Sequence, residues 1–452
     1  MKVISKGKMW CFAIGQFGWS LLSALITNWL VYFYQPDEAS QAAGQTLFIP
    51  QGRVILGLVT IIGGITALGR IFDAVTDPMI ANLSDRSQNP KGRRIPFMQK
   101  IAVPFAAVTV LVFWAPVNGV SAVNSVWLLV TLLLFYLFMT TYCTPYNALI
   151  SELGTTQDTR ISISTYISVT FLLGSAIGYA APYIWGALTP SFGRVMAIRI
   201  TFIVLSAIGL VALLVPTFTI NEKDYVHTQP SGDNAFESLA KTFRNKDFRV
   251  FVGSDILYFV ALTIFQTGLP FFITSLMKLP ETMTTILYVA MTLLSFVCYA
   301  PVNMLAHRLN KKKLVLIGFC GLSVAYLITA LSGLSGSGMF WGVLVVVVAA
   351  FPMAILGILP QAIVADIAEA DASTTGENRE GMFFAARTFA FKMGQSVSML
   401  LFTAFASISP QTGLGYRIAA VTAFVICLIG ALVLTRYDER GVLSIIAPEK
   451  VE

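Results

Sequence analysis

The sequence predicts an all-α integral membrane protein with twelve transmembrane helices, and three observations predict it. Only 12% of the 452 residues are charged, against ~25% in soluble globular chains. The hydrophobic set makes up 56% and mean hydropathy is +0.75, more apolar surface than a water-facing shell hides. Disorder is excluded by the same numbers, because disordered segments are poor in apolar residues. Finally, apolar stretches recur along the chain at close to the ~20 residues that a bilayer-spanning helix needs.

The stretches fall at 9–34, 54–80, 97–118, 125–150, 161–186 and 196–219, and after a polar break at 250–276, 282–305, 314–333, 338–365, 381–408 and 412–435. Six spans, a polar linker and six more spans give an N-terminal bundle (1–220), a linker (221–249) and a C-terminal bundle (250–452). The first stretch follows Lys2, Lys6 and Lys8 as a signal peptide would. It runs to Tyr34 without a clear small-residue cleavage site, so it reads as a retained span. All five cysteines lie in apolar runs without a CxxC pair, which suits buried small hydrophobes better than disulfides or zinc.

The basic residues set the orientation. An even number of spans puts both termini on one side, together with Arg86, Lys91, Arg93, Arg94, Lys100, Arg160, the linker cations and Arg308 to Lys313. Near the other side stand Arg53, Arg194, Arg199, Lys278 and Arg417. Both termini and the linker are therefore expected in the cytoplasm of a multi-pass (inner) membrane protein. The net charge of +7 is explained by this anchoring, without a nucleic-acid partner. A basic turn follows both the second and the eighth span, as in transporters built from parallel repeats with a substrate site near the midplane.

Charges inside spans are the functional candidates, since each costs about 3 kcal/mol or more. In the second span Thr66, Arg70, Asp73 and Asp77 are spaced by four, three and four residues and share a helical face. Two carboxylates one turn apart, with the Thr76 hydroxyl, form a hard oxygen cluster suited to a small cation or to a shared proton. The competing reading is an internal Arg70–Asp73 salt bridge. Span eleven carries Arg387 and Lys392, with Gln395 one turn on; Lys392 is either a counter-ion for the carboxylates or a snorkelling lysine. Asp255 in span seven lines a cavity or reaches the surface. Span one has a polar stripe at Gln16, Ser20, Ser23 and Thr27, and span four presents Tyr136, Thr140, Cys143 and Asn147 near Pro145. Trp19, Tyr142, Tyr146 and Tyr258 are stacking candidates, although aromatic residues in spans more often pack. The two histidines, His227 and His307, are too peripheral for a catalytic or metal role. Without a phosphate-binding loop, an ion gradient is the expected energy source and no cofactor is expected.

The run Gly69-Arg70-Ile71-Phe72-Asp73-Ala74-Val75-Thr76-Asp77-Pro78, with Asp85-Arg86 and Gly92-Arg93-Arg94, resembles the glycoside–pentoside–hexuronide cation symporters, the melibiose-permease branch of the major facilitator superfamily. Supporting segments are Pro145 to Leu149 leading to Glu152, Asp366-Ile367-Ala368-Glu369, and Arg379-Glu380-Gly381 leading to Lys392. The resemblance implies a major facilitator fold of two six-helix bundles. It further implies that Asp73 and Asp77 bind the coupling cation, sodium or proton, with Thr140 and Thr76 beside them. Thr76 stands where melibiose permease has asparagine. Asp85 matches a loop aspartate of the cytoplasmic gate, to which Arg70, Arg86 and Arg93 are assigned. Lys392 matches the family's helix-11 lysine and, with Arg387, Trp19, Ser20, Thr27, Cys143 and Asn147, is assigned to the substrate. Ser20 and Cys143 replace the two aspartates that hold sugar in melibiose permease, and Asn147 replaces its tryptophan. The implied function is cation-coupled symport of a sugar or glycoside by alternating access, in a monomer surrounded by lipid, and not an enzymatic reaction. Sodium-coupled carriage of lysophospholipids or other amphiphiles is the alternative, because related members lack the sugar aspartates.

Overall fold

The computed structural model describes residues 4–55, 59–85, 87, 89–90, 92–154, 157–225, 235–306, 308–376, 380–409 and 411–446. The chain divides into two compact units, Met1–Asp233 and Asn234–Glu452.

In the first unit the long helices are α1 (Lys6–Tyr34), α2 (Ile61–Asp85), α3 (Ile95–Val112), α4 (Ala122–Leu153), α5 (Gln157–Tyr179, continued by Ala181–Phe192) and α6 (Arg194–Thr219). The second unit has α7 (Lys246–Phe271), α8 (Met283–Val297, continued by Tyr299–Ala306), α9 (Lys311–Leu331), α10 (Gly338–Thr375), α11 (Glu380–Ala406) and α12 (Leu414–Leu434). Local chemistry explains several boundaries. Ser5 caps α1 by accepting from the Lys8 amide. The break in α5 stands just before Pro182, and that in α8 just before Pro301. Pro270 ends the regular part of α7, which runs into a π-helical turn, Phe272–Leu276. The expected second span starts later than its apolar run, because Arg53–Ile55 and Val59–Thr60, mostly β-branched, pair as a small antiparallel ribbon. The helix then continues through Pro78 to Asp85.

The two units repeat one packing scheme. In the first, α1 packs on α5 and α6, α2 on α4, and α3 on α4 and α6; in the second, α7 packs on α11 and α12, α8 on α10, and α9 on α10 and α12. This is the parallel repeat that the two basic turns suggested. Close approach of α5 to α1 depends on Gly174, where a Cβ would meet the Ser20 hydroxyl and the Phe17 carbonyl.

Among the described residues, eleven helical segments are long and apolar enough to cross a membrane. The twelfth is α2, which is 25 residues long but carries Arg70, Asp73 and Asp77 in any 18-residue stretch of its length. Twelve spanning helices result, and the one that apolarity alone would pass over is the one bearing the intramembrane carboxylates.

Candidate functional site

Helix α2 is amphipathic in the sense opposite to that of a soluble protein. Leu68, Ile71, Val75, Met79 and Leu83 recur at three- and four-residue spacing and are exposed, forming a stripe suited to lipid. Thr66, Arg70, Asp73 and Thr76 are buried, Asp73 completely so (0% exposed). The polar face is therefore held within the unit, against α4, and Asp77 at its edge is half-buried.

Across that contact, the Thr140 hydroxyl of α4 lies 2.8 Å from Asp73 Oδ1 and 3.2 Å from Asp77 Oδ1. One hydroxyl hydrogen serves one of these carboxylates at a time. The two carboxylate oxygens thus lie within hydrogen-bond distance of one hydroxyl. Hard oxygen donors of this kind suit a small cation. The Thr76 hydroxyl donates within its own helix to the Asp73 carbonyl at 3.1 Å, which leaves its lone pairs available. The alternative Arg70–Asp73 bridge is at the limit of an ion pair, 4.0 Å from Nη1 to Oδ2. Arg70 is also held by Thr27 of α1, whose hydroxyl accepts from Nη2 at 3.3 Å, and by the Tyr136 ring 5.0 Å below its guanidinium.

Thr140→Ala should weaken cation activation by about tenfold or more, since hydrogen bonds to charged groups are worth about 1.5–3 kcal/mol. Thr140→Ser should retain it. The cation concentration for half-maximal activity of a purified, reconstituted variant reads this directly.

The residues assigned to substrate differ in their local surroundings. Ser20 is buried at the α1–α5 crossing, and its hydroxyl donates to the Phe17 carbonyl at 3.1 Å. Trp19, half-buried, donates to Gln16 Oε1 at 3.1 Å and approaches Phe171. Thr27 is engaged by Arg70. Cys143 is half-buried and Asn147 exposed. Tyr142 and Tyr146 are completely buried and donate to the carbonyls of Leu213 and Phe12, which is packing and not ligand stacking. In the second unit Lys392 is half-buried. Arg387 makes a two-toothed ion pair with Asp255, at 2.6 Å from Nε and 3.2 Å from Nη2, and lies over the Phe259 ring. Asp255 thus ties α7 to α11, and Arg387 has a protein counter-ion.

Residues 11–435 match the family described as MFS/sugar transport protein. The chain belongs to that family. Its members are transporters, so the expectation of a non-enzymatic protein stands. Over 342 residues the chain is 22% identical to the putative glycoside/cation symporter YagG of Escherichia coli, covering 75% of this chain and 72% of that one. It is 35% identical to the sodium-dependent lysophosphatidylcholine symporter 1 of Xenopus tropicalis over 114 residues, which is 25% of this chain and only 21% of that protein. In structure it resembles a D-xylose-proton symporter, with a TM-score of 0.66 at 14% identity, covering 95% of this chain and 97% of that one. That likeness shows the shared twelve-helix fold.

The repeat of this MFS chain extends to its charges. Helix α3 begins beneath the Glu222 carboxylate, which accepts from the amides of Arg93 (2.9 Å), Arg94 (2.8 Å) and Ile95 (3.1 Å). Glu152, at the end of α4, pairs with Arg93 at 3.1 Å and Arg94 at 2.8 Å. In the second unit Glu439 accepts from the Lys312 amide at 3.2 Å as α9 begins, and Asp366 of α10 pairs with Lys311 at 2.6 Å. Burial pushes the Glu439 carboxyl above its ordinary value, against the pull of the Lys312 and Lys311 amides. At the opposite helix ends, Arg199 of α6 donates to the Phe113 carbonyl after α3, and Arg417 of α12 donates to Ala330 of α9. An acid at the N-terminus and a guanidinium at the C-terminus complement the helix dipole in both units.

Arg93, assigned to the gate, is thus in an ordered cluster. The Asp85 side chain and Arg86 lie outside the described residues, as do His227, His307, Arg379 and Lys91. Glu222 was missed because it stands in what the sequence presents as a polar linker. The available signal was positional: acidic residues follow both the sixth and the twelfth helix, at Glu222 and at Glu439. Gly92 has φ +120°, and a Cβ there would collide with Glu222. Gly92→Ala should therefore displace the carboxylate from its three amides and lower the thermal midpoint clearly, whereas a substitution at exposed Lys100 should leave it unchanged.

Proposed function

We propose that the protein is a cation-coupled symporter of a sugar or glycoside, with Asp73, Asp77, Thr140 and Thr76 as its cation site. The observation that carries this reading is the Thr140 hydroxyl set between the Asp73 and Asp77 carboxylates on the buried face of an otherwise lipid-facing helix. The cation, sodium or proton, is cargo and not a resident cofactor. Its binding neutralises an acid cluster inside the membrane and favours the conformation that holds substrate. By linkage each ligand raises the other's affinity. Arg70 joins this cluster to Thr27 of α1, so a change in cation occupancy is felt on a second helix. Ser20, Trp19, Cys143, Asn147 and Lys392 remain the proposed substrate residues. Arg387 is proposed to act through Asp255, as a positioning residue. Arg93, Arg86 and Asp85 belong to the proposed gate, with 1–220 and 250–452 as the bundles, 221–249 as linker and both termini cytoplasmic.

The relative named as a putative glycoside/cation symporter matches over 75% of the chain, whereas the lysophosphatidylcholine symporter match is confined to a quarter of it. This supports a sugar over an amphiphile. The test is uptake of a panel of labelled glycosides and of lysophosphatidylcholine into vesicles holding the purified protein, under an inward sodium gradient, an inward proton gradient or neither. Gradient-dependent accumulation of a glycoside is expected. Accumulation of the lysolipid alone would replace the sugar reading.

A further inference from the structure

One corner of the second unit gathers exposed cations that form no ion pair among the described residues. The first turn of α9 is laid on the segment after α12: Lys312 Nζ donates to the carbonyls of Thr435 (2.7 Å) and Tyr437 (2.6 Å), and its amide to Glu439. This sets the start of α9, flanked by Arg308 and Lys313, against the chain segment that carries Arg436 and Arg440. All four are exposed, and among the described residues none takes part in an ion pair or side-chain hydrogen bond. Their neighbours differ. Lys311 has Asp366, Lys312 has two carbonyls, and in the first unit Arg93 and Arg94 have Glu152. The nearby exposed acid is Asp438, which caps the amide of Gly441.

The apolar surroundings say what faces these cations. Each stands close in the chain to an exposed large apolar residue: Leu309 beside Arg308, Ile317 one turn after Lys313, Leu432 one turn before Arg436, and Ile445 in the short helix Glu439–Ile446 that carries Arg440. Ile317 and Leu432 lie on the outside of spanning helices, where apolar side chains meet lipid tails, so Lys313 and Arg436 one turn away lie at headgroup level.

We propose that Arg308, Lys313, Arg436 and Arg440 form a docking surface for the phosphate groups of anionic phospholipids in the adjoining leaflet. Arginine supplies two-toothed donors to phosphate and lysine a point charge. The surface belongs to the second unit and the Asp73–Asp77 cluster to the first, and binding there does not require transport.

The test measures binding of phosphatidylglycerol, phosphatidylcholine and soluble glycerol 3-phosphate to the full-length purified protein by thermal shift. The wild type is compared with the quadruple variant Arg308→Gln, Lys313→Gln, Arg436→Gln, Arg440→Gln. A second quadruple, Lys6→Gln, Lys100→Gln, Lys241→Gln, Lys246→Gln, removes the same charge from other exposed positions. Phosphatidylglycerol is expected to raise the midpoint of the wild type and of the second quadruple, and phosphatidylcholine is not. The first quadruple should bind phosphatidylglycerol at least tenfold more weakly while melting like the wild type in phosphatidylcholine. Equal loss in both quadruples would mean general surface charge and overturn the proposal. Unchanged binding in the first quadruple would also overturn it, as would equal protection of the wild type by glycerol 3-phosphate.

Discussion

Asp255→Ala is expected to lower the stability of the protein by about 3–5 kcal/mol, the range for leaving a buried charge without its partner. Asp255 is 4% exposed and meets Arg387 through two charged hydrogen bonds. With the carboxylate removed, the guanidinium keeps the Phe259 ring at 5.4 Å but loses its counter-ion in a part of the unit shielded from water. Replacing both partners, Asp255→Ala with Arg387→Met, removes the unpaired charge together with the pair and should recover much of the loss. Thermal midpoints of the two variants in one detergent check this. A single variant that melts with the wild type would show that the pair does not tie α7 to α11, and would return Arg387 to the set of free substrate ligands.

Asp77→Asn is expected to abolish gradient-driven uptake while leaving the fold intact. The side chain is half-buried at the edge of the α2–α4 contact, and asparagine matches its shape, so packing changes little. What changes is chemistry: a neutral amide neither takes up a proton nor supplies an anionic oxygen to a cation. Asp73→Asn should fail likewise and destabilise more if its amide group finds no partner, since Asp73 is completely buried. The diagnostic signature is loss of accumulation with a thermal midpoint close to that of the wild type. Accumulation in Asp77→Asn equal to the wild type would remove Asp77 from the cation site.

The sequence made the helix count and the location of the carboxylates legible, because both follow from one physical rule. Apolar runs of span length belong in lipid, and a charge that interrupts one must face inward. That rule placed Asp73 and Asp77 on an interior face, and the exposed stripe from Leu68 to Leu83 is its complement. Thr140 came from the family resemblance, since no local pattern shows that α4 packs on α2. Two kinds of information were beyond reach. Partner choice depends on tertiary contacts: Arg70 reaches Asp73 one turn away but also Thr27 and Tyr136, while Arg387 found Asp255, 132 residues distant. Capping of α3 by Glu222 joins residues separated by 127 to 129 positions, and no pattern within the polar stretch announces it. Ser20 illustrates a third case. Its place in a polar stripe suits contact with a neighbouring helix, and Gly174 does bring α5 onto it; its assignment to substrate came from the family resemblance. A polar stripe in a membrane helix serves neighbouring helices and ligands with the same residue types.

The Asp73–Asp77–Thr140 cluster is proposed to bind the coupling cation. The most direct test is substrate-driven cation movement into sealed vesicles containing purified protein, followed with a sodium-selective and a pH-sensitive dye. An outward-to-inward gradient of the transported glycoside should carry sodium or protons inward with the wild type, and neither with Asp77→Asn or Asp73→Asn. Cation movement that persists in both variants at the wild-type rate would contradict the account.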